Sequence, residues 1–554
     1  MYKKFLCWML AFALVLVSGG DKLILSVGAD LIPGGGIDGS ETITTMPDFA
    51  DDTVLVVLTH EASLEFIDYA PADFPEIELA EIQDLSTGKG AKVQAVLRGE
   101  QLYMDSIGAR FMNQNIDVDG FRRILSLKLA NPGKGNVLRA VAALEQRADV
   151  HSAEPDYIYQ VDIPIETQSI TPGTRPVYGW AAQKIEQEAA WEIETGSSSI
   201  LVGVLDSGID ITHPELSGKV STTLSRDFVT DDAYSATQDP MGHGTHVAGI
   251  IGAKHENDAI YFSGVCQNVT LVSLSVSKYL GIQNGLISSE MRSSVLTTAI
   301  NYAETKDIPL LNLSSIVSDH DWIESVDVPD VPLRTAISNY SGTLICAAGN
   351  DNQDLKNVDE EHDDDYIPAI LNYANIITVG ASDQDDAIWE TQTEASNYDT
   401  ATKPTNRKVD LFAPGCNILS CVSLTACSAT GCRLGGHSSH GYHFFSGTSM
   451  ATPFVTGVAA LILASHPNTT RENVKAAILY GVDVVDDFRT KCVSGGRLNA
   501  YNAITSKTIH NDVDYVSIDS TYHEVSCNDC DAVWQEEHTE RPGAEVCVHC
   551  GEYL

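Results

Sequence analysis

Three residues of the kinds that cooperate in nucleophilic catalysis stand far apart in the chain, each within two positions of a glycine. Asp206 closes the apolar run in "SSSILVGVLDSGIDITHPEL", His243 lies between Gly242 and Gly244 in "DPMGHGTHVAGIIGA", and Ser449 follows Gly447 in "FFSGTSMATPFVTGVAALILAS". A serine hydroxyl is a poor nucleophile until a base takes its proton. The base in turn needs an acceptor that fixes its tautomer and supports its positive charge. Aspartate, histidine and serine supply those three roles. A single "GTS" is ordinarily a helix cap and a single "HGTH" a core or metal motif, so the meaning lies in the combination.

Such a group works only if the fold brings it together. From about residue 176 the chain alternates short, continuous apolar runs ("SILVGVLD", "LVSLSV", "IPLLNLSS", "GTLICAAGN", "NIITVGAS") with helical stretches such as "HVAGIIGA" and "MRSSVLTTAINYAETK". Runs apolar on both faces read as strands covered on both sides. The fold class is therefore α/β, a mostly parallel sheet with helices on both faces. In that architecture reactive groups collect beyond the carboxyl ends of the strands, where Asp206 falls. His243 opens a helix whose Val247, Ala248, Ile250 and Ile251 are core residues. Ser449 opens one carrying Val455, Val458, Leu461 and Ile462, with Pro453 expected in the first turn, where no amide donor is needed. A serine at a helix N-terminus has free backbone N–H groups beside the place where a tetrahedral intermediate becomes negative.

The rest of the chain bounds what this chemistry serves. With 34 Lys and Arg against 76 Asp and Glu, a net charge of −42, the chain repels phosphate backbones, and nucleic acid is excluded as a partner. Residues 1–20 pair Lys3 and Lys4 with an apolar core from Phe5 to Val17 and small residues after it, as an export signal does. That core is shorter than the roughly 20 residues of a membrane span. No later stretch reads as a span, so a secreted, extracellular chain with no membrane contact in its mature form is expected. Residues 21–50, rich in Gly, Thr and Asp, read as a linker. Residues 51–165 read as a small α+β unit: strands in "DDTVLVVL" and "FRRILSLKLA", a helix capped by Asn136 that buries Val137, Ala140, Val141 and Leu144, and an extended "VHSAEPDYIYQ".

The segments "VGVLDSGIDITHPEL", "HGTHVAGIIGA", "LICAAGND" and "FSGTSMATPFVTGVAALIL" closely resemble the signature blocks of subtilisin-like serine proteases, over residues 176–505. The order Asp, His, Ser is also that family's. The resemblance implies a serine endopeptidase acting on proteins or peptides through an acyl-enzyme. Asp206 would orient the base, His243 act as base and acid, Ser449 attack, and Asn350 donate to the oxyanion. It also implies that residues 51–165 are a prodomain that assists folding and inhibits the enzyme, with "AEPDYIYQ" in the cleft and a cut between about 159 and 172. His246 and His213 are expected to be structural. The alternative is a catalytically silent extracellular binding protein on the same fold.

Several features depart from the family's pattern. Ser315 and Ile316 stand where relatives carry Ser-Leu-Gly in the pocket for the residue before the cut bond, which implies a narrower pocket. An insertion brings Cys416, Cys421, Cys427 and Cys432 near the nucleophile, which in an exported chain implies two disulfides. Cys346 reads as a core residue. No cofactor is expected in catalysis. Structural calcium is implied on Glu215 and Asp258, with Asn257 beside them, since hard oxygen donors suit that ion. In a tail module at 520–554, Cys527 and Cys530 face Cys547 and Cys550 across 16 residues, the spacing of a structural zinc site, with two disulfides as the rival.

Overall fold

A computed structural model describes residues 15–18, 23–26, 48–98, 120–164, 179–230, 235–254, 263–283, 286–315, 330–357, 366–392, 394–403, 407–423 and 441–506. Beyond these it describes tail strands at 513–517, 522–527, 533–537, 540–541 and 544–547. Most of the expected export signal lies outside the described residues. The expected linker is not wholly irregular: Leu23–Ser26 pairs antiparallel with Val15–Ser18, two apolar tetrapeptides joined across "GGDK".

The N-terminal unit comprises β1 (Phe49–Leu58), β2 (Leu79–Asp84), α1 (Thr87–Leu97), β3 (Ile124–Leu129), α2 (Lys134–Leu144) and β4 (Val150–Pro164). β1 pairs antiparallel with both β3 and β4, and α2 buries Val137, Ala140, Val141 and Leu144 in the same core as β1. Asn136 is not the cap. Gly133, at φ +139°, turns the chain earlier, so the helix begins at Lys134 and the Asn136 amide donates back to the carbonyls of Asn131 and Pro132.

The larger unit begins with β5 (Leu201–Asp206), α3 (His243–Gly252), β6 (Thr270–Ser275), β7 (Lys278–Gln283), β8 (Leu286–Arg292) and α4 (Ser293–Thr305). It continues through β9 (Leu310–Leu313), α5 (Val331–Asn339), β10 (Thr343–Ala347), β11 (Ile376–Ser382) and β12 (Leu411–Pro414) to the hairpin β13 (Ile418–Val422) and β14 (Gly441–Phe445) and then α6 (Thr448–Ser465). Its sheet runs Asp483–Val484, Gly496–Arg497, β12, β11, β10, β9, β5, β6, Arg226–Asp227, parallel throughout except for the first pair. Alternate strand residues feed two cores. Leu205, Leu311, Leu313 and Leu344 pack with α4 and α5, while Val202, Val204, Ile345 and Val379 pack with α3 and α6. Helices therefore cover both faces, as the apolar runs require. From β5 the chain steps to β6 on one side and then crosses to β9 on the other. The carboxyl ends of β5 and β9 are thus the switch point at which such sheets place their ligands.

Two sequence expectations need correction. α6 is, by length and a mean hydropathy of 1.5, apolar enough to cross a bilayer, but it is 83% buried inside the protein and acts as a core helix. Met291 and Arg292 belong to β8 rather than to α4, and the hairpin β7–β8 was not legible in the apolar pattern. That hairpin joins the two units. β8 pairs antiparallel with β4 from Leu286↔Pro164 to Arg292↔Ile158, giving a sheet ordered β7, β8, β4, β1, β3, β2.

Side chains of the N-terminal unit meet both ends of α4. The Asp156 carboxylate accepts from Ser294 N (2.9 Å) and Oγ (2.7 Å) at its start, and Lys92 Nζ reaches the Glu304 carbonyl (2.5 Å), Glu304 Oε1 (3.1 Å) and Asp307 Oδ1 (2.8 Å) at its end. Glu154 Oε2 accepts from Val331 N (3.1 Å) at the start of α5, and Tyr159 donates to Asp330 Oδ2 (2.5 Å). Negative groups at helix starts and a positive one at a helix end complement the helix dipoles. In the tail, Cys527 and Cys547 each end a strand; Cys530 and Cys550 lie outside the described residues.

Candidate active site

Asp206 ends β5, and the chain turns at once through Ser207 and Gly208. Gly208 has φ +117°, and a Cβ there would come within 2.1 Å of the Gln238 carbonyl. A Cβ on Gly244 would come within 2.2 Å of the Gly208 carbonyl. These two glycines let the start of α3 lie against the end of β5. His243 Nδ1 then stands 2.9 Å from each carboxylate oxygen of Asp206, and both residues are under 5% exposed. Burial pulls the imidazole's pKa down. The charge and hydrogen bond of Asp206, with the charge of Asp239, outweigh it and leave His243 above its ordinary value.

Ser449 is the second residue of α6. Its hydroxyl donates to the Ser314 carbonyl (2.9 Å), and the Ser314 hydroxyl donates to the Ser449 carbonyl (2.8 Å). The second bond compensates for a proline that stands deeper in α6 than the first turn expected for it. Pro453 lies beyond the first turn, four residues after Ser449, so the Ser449 carbonyl loses its helical donor and Ser314 replaces it. Ser314 directly follows β9, whose Leu313 pairs with Leu205 of β5. Asp206 and Ser314 are therefore neighbours at the ends of adjacent strands, about 4.8 Å apart in backbone spacing. Ser449 is bonded to one of them and His243 to the other. Among the described residues, His243 and Ser449 share no direct hydrogen bond.

Asn350, just past β10, accepts through Oδ1 from Thr448 N (3.0 Å) and Thr448 Oγ1 (2.9 Å). With its acceptor engaged twice, its amide NH2 is left for another partner. That nitrogen lies 3.3 Å from where a Cβ on Gly447 would stand; Gly447, at φ +132°, keeps the space open.

The remaining expected residues divide. Ser315 is half-buried directly after Ser314, and Ile316 lies outside the described residues. His246 is buried, with Nε2 3.0 Å from the Ile418 carbonyl and 3.1 Å from that of His443. Burial, with the charge of His243, drives it well below the usual histidine range. His213 is likewise buried, against the Gly441 carbonyl and the Tyr442 ring. Cys346 is a core thiol pushed up to about 12 by burial. Cys421 departs from the expected pair of disulfides. It is a free thiol inside β13, with Sγ 3.1 Å from where a Cβ on Gly249 of α3 would stand, and burial raises it well above the ordinary thiol range. Cys427 and Cys432 lie outside the described residues.

A Glu215 oxygen accepts from the Tyr442 hydroxyl (2.9 Å), and Asn257 and Asp258 lie outside the described residues. Among the described residues no group of three His, Cys, Asp or Glu side chains is gathered as a metal ion would need.

The model of the subtilase family (Peptidase_S8) matches residues 197–495, more than half of the chain. The chain belongs to the subtilase family. It is 31% identical over 379 residues to a thermophilic serine proteinase of Bacillus sp. strain AK1, covering 67% of this chain and 77% of that one. It is 29% identical to thermitase of Thermoactinomyces vulgaris over 59% of this chain and 95% of the relative. Against halolysin of Haloferax mediterranei it is 29% identical over 66% and 59%. This subtilase is a serine-type peptidase with an α/β fold. Sequence reasoning did not find Ser314, Thr448 or Asp239. Ser314 and Thr448 bond to residues far off in the chain, where the one local signal was Pro453, whose missing donor calls for a substitute; Asp239 bonds mostly within "DPMGHGTH", where it reads as an ordinary aspartate before a helix.

Proposed function

We propose that this subtilase is a secreted endopeptidase that cuts peptide bonds with Asp206, His243 and Ser449 by way of an acyl-enzyme. The observation that carries the reading is His243 Nδ1 bonded to both oxygens of Asp206 at the sheet's switch point, one strand from Ser314, which holds the Ser449 hydroxyl. With Nδ1 engaged, the proton-accepting nitrogen of the neutral ring is Nε2. The Ser449 hydroxyl turns from the Ser314 carbonyl to Nε2, gives up its proton and attacks the substrate carbonyl. The resulting oxyanion takes hydrogen bonds from the Asn350 NH2 and the Ser449 N–H. As the intermediate collapses, Nε2 hands the proton to the departing amine; water then repeats the sequence and frees the acid.

On this reading residues 51–165 are the enzyme's own inhibitor and folding aid. The pairing of β4 with β8 supports this, because it adds an extended strand of the N-terminal unit to the β7–β8 hairpin of the catalytic unit. The pairing runs to Pro164, so the maturation cut falls from 165 to about 172. Export follows from the charge and apolar run of residues 1–20. The test is hydrolysis of an unfolded protein such as casein by the purified chain and by Ser449→Ala. The reading predicts cleavage by the first alone; equal cleavage by both overturns it.

A further inference from the structure

Asp239 ends the segment that leads into α3, and no step above uses it. It is 3% exposed and takes five hydrogen bonds, donating none. Ser207 Oγ (2.8 Å), Met241 N (3.0 Å) and Gly242 N (2.8 Å) donate to Oδ1; Thr245 N (2.8 Å) and Thr245 Oγ1 (2.7 Å) donate to Oδ2. The five donors favour the ionised carboxylate against burial, which raises its pKa, and leaving such buried donors without a partner is costly.

The donors come from both halves of the Asp206–His243 pair. Ser207 follows Asp206, and its hydroxyl oxygen lies nearer Asp239 (2.8 Å) than Asp206 (3.2 Å). The same hydroxyl accepts from Gly244 N (3.0 Å), next to His243. Thr245 Oγ1 accepts from Asp210 N (3.0 Å), which fastens the first turn of α3 to the turn after β5. Met241 and Gly242 lead directly into His243. Every backbone segment that orients the imidazole against its carboxylate is thus tied to this one side chain.

We propose that Asp239 is a positioning residue for His243: a second buried carboxylate that locks the β5 turn to the α3 start and supports the positive charge the ring carries during turnover. Charged groups around the ring are Asp206 from β5 and Asp239 from the loop before α3. Asp210 lies in the adjoining turn, bonded to Thr212, and His246 is one turn along α3, facing the carbonyls of β13 and β14. Asp206 holds Nδ1 directly; Asp239 acts through backbone and field. It adds negative potential beside the ring, as its contribution to the His243 shift indicates, with no contact to substrate.

This rests on His243 being the base, so the test starts from matured wild-type enzyme on a peptide nitroanilide. No turnover there would refute the catalytic reading itself. With wild type active, Asp239→Asn keeps the shape and removes the charge. Its kcat should fall about tenfold or more at a KM within about twofold. The acid limb of its kcat/KM profile should move about half a pH unit lower, because a ring with less negative surroundings loses its proton more easily. An unchanged kcat, or a limb that stays in place, overturns the proposal. If Asp239→Asn fails to mature, Thr245→Val takes its place. It removes one donor to Asp239 together with the acceptor of Asp210 N and leaves the charge, so kcat should drop about threefold with the limb unmoved, and an unaltered kcat overturns the proposal.

Discussion

Asn350 and Thr448 form a unit in which one side chain aims the other. Thr448 occupies the acceptor of the Asn350 amide from both its N–H and its hydroxyl, so the NH2 points away from the helix. Asn350→Ala should therefore lower kcat about 100- to 1000-fold with KM little changed, the range known for such a donor in a subtilisin. Thr448→Val removes one of the two bonds that orient the amide and should cost roughly tenfold in kcat, with the additional loss on Asn350→Ala much smaller than in wild type. Steady-state kinetics of the two single variants and the double variant check this, and full additivity would count against the coupling. If Ser315 and Ile316 line the pocket for the residue before the cut bond, as the family resemblance implies, that pocket should favour small or medium residues; fastest cleavage after Phe or Tyr in a peptide series would refute that.

At the scale of elements, the proline inside α6 explains a bond that the sequence pattern did not reveal. Pro453 removes the donor to the Ser449 carbonyl, and the Ser314 hydroxyl makes up the loss across 135 residues. Ser314→Ala should cost about 1–3 kcal/mol of stability, the penalty of an unsatisfied buried carbonyl, and lower the melting temperature. An unchanged melting curve would show the carbonyl satisfied in another way. The contrast marks what was legible. Asp206, His243 and Ser449 could be placed at element ends because periodicity shows where strands stop and helices start, and glycines mark the close approaches. The parallel sheet could be read from runs apolar on both faces. Ser314 could not be found, since a polar side chain that bonds across the fold leaves no periodic trace, and Asp239 could not because its bonds, though mostly local, go to backbone and hydroxyl donors that periodicity does not register. The residues of the β7–β8 hairpin, "KYLGIQNGLISSEMR", are neither continuously apolar nor strictly alternating, and its one legible mark was the turn pair Asn284-Gly285.

On the scale of the whole molecule, the N-terminal unit sits on the larger one through a strand pair and through charges at both ends of α4. Burial pushes Asp156 up to about 6 against the pull of its Ser294 hydrogen bonds, and burial also raises Asp330. Once the unit is released, Asp156 returns toward its ordinary value of 3.8, so docking takes up a proton. The docked state is favoured most at low pH and loses that advantage as pH rises through about 6. In the cut but still associated enzyme, release at pH 7 should exceed release at pH 5 by about tenfold, measured by size-exclusion chromatography. Equal rates, or faster release at pH 5, would contradict this. Lys92→Met should speed release at both pH values, because it removes the cation bonded to the buried Glu304 carboxylate and leaves only the field of Lys89.

The central claim is that Ser449 is made nucleophilic by a histidine that Asp206 holds in place. Labelling the matured protein with a fluorophosphonate and mapping the adduct by mass spectrometry tests it most directly. One adduct is expected, on Ser449, formed rapidly in wild type and lost in folded His243→Ala. An adduct on another residue, or equal labelling of Ser449 without His243, would contradict it.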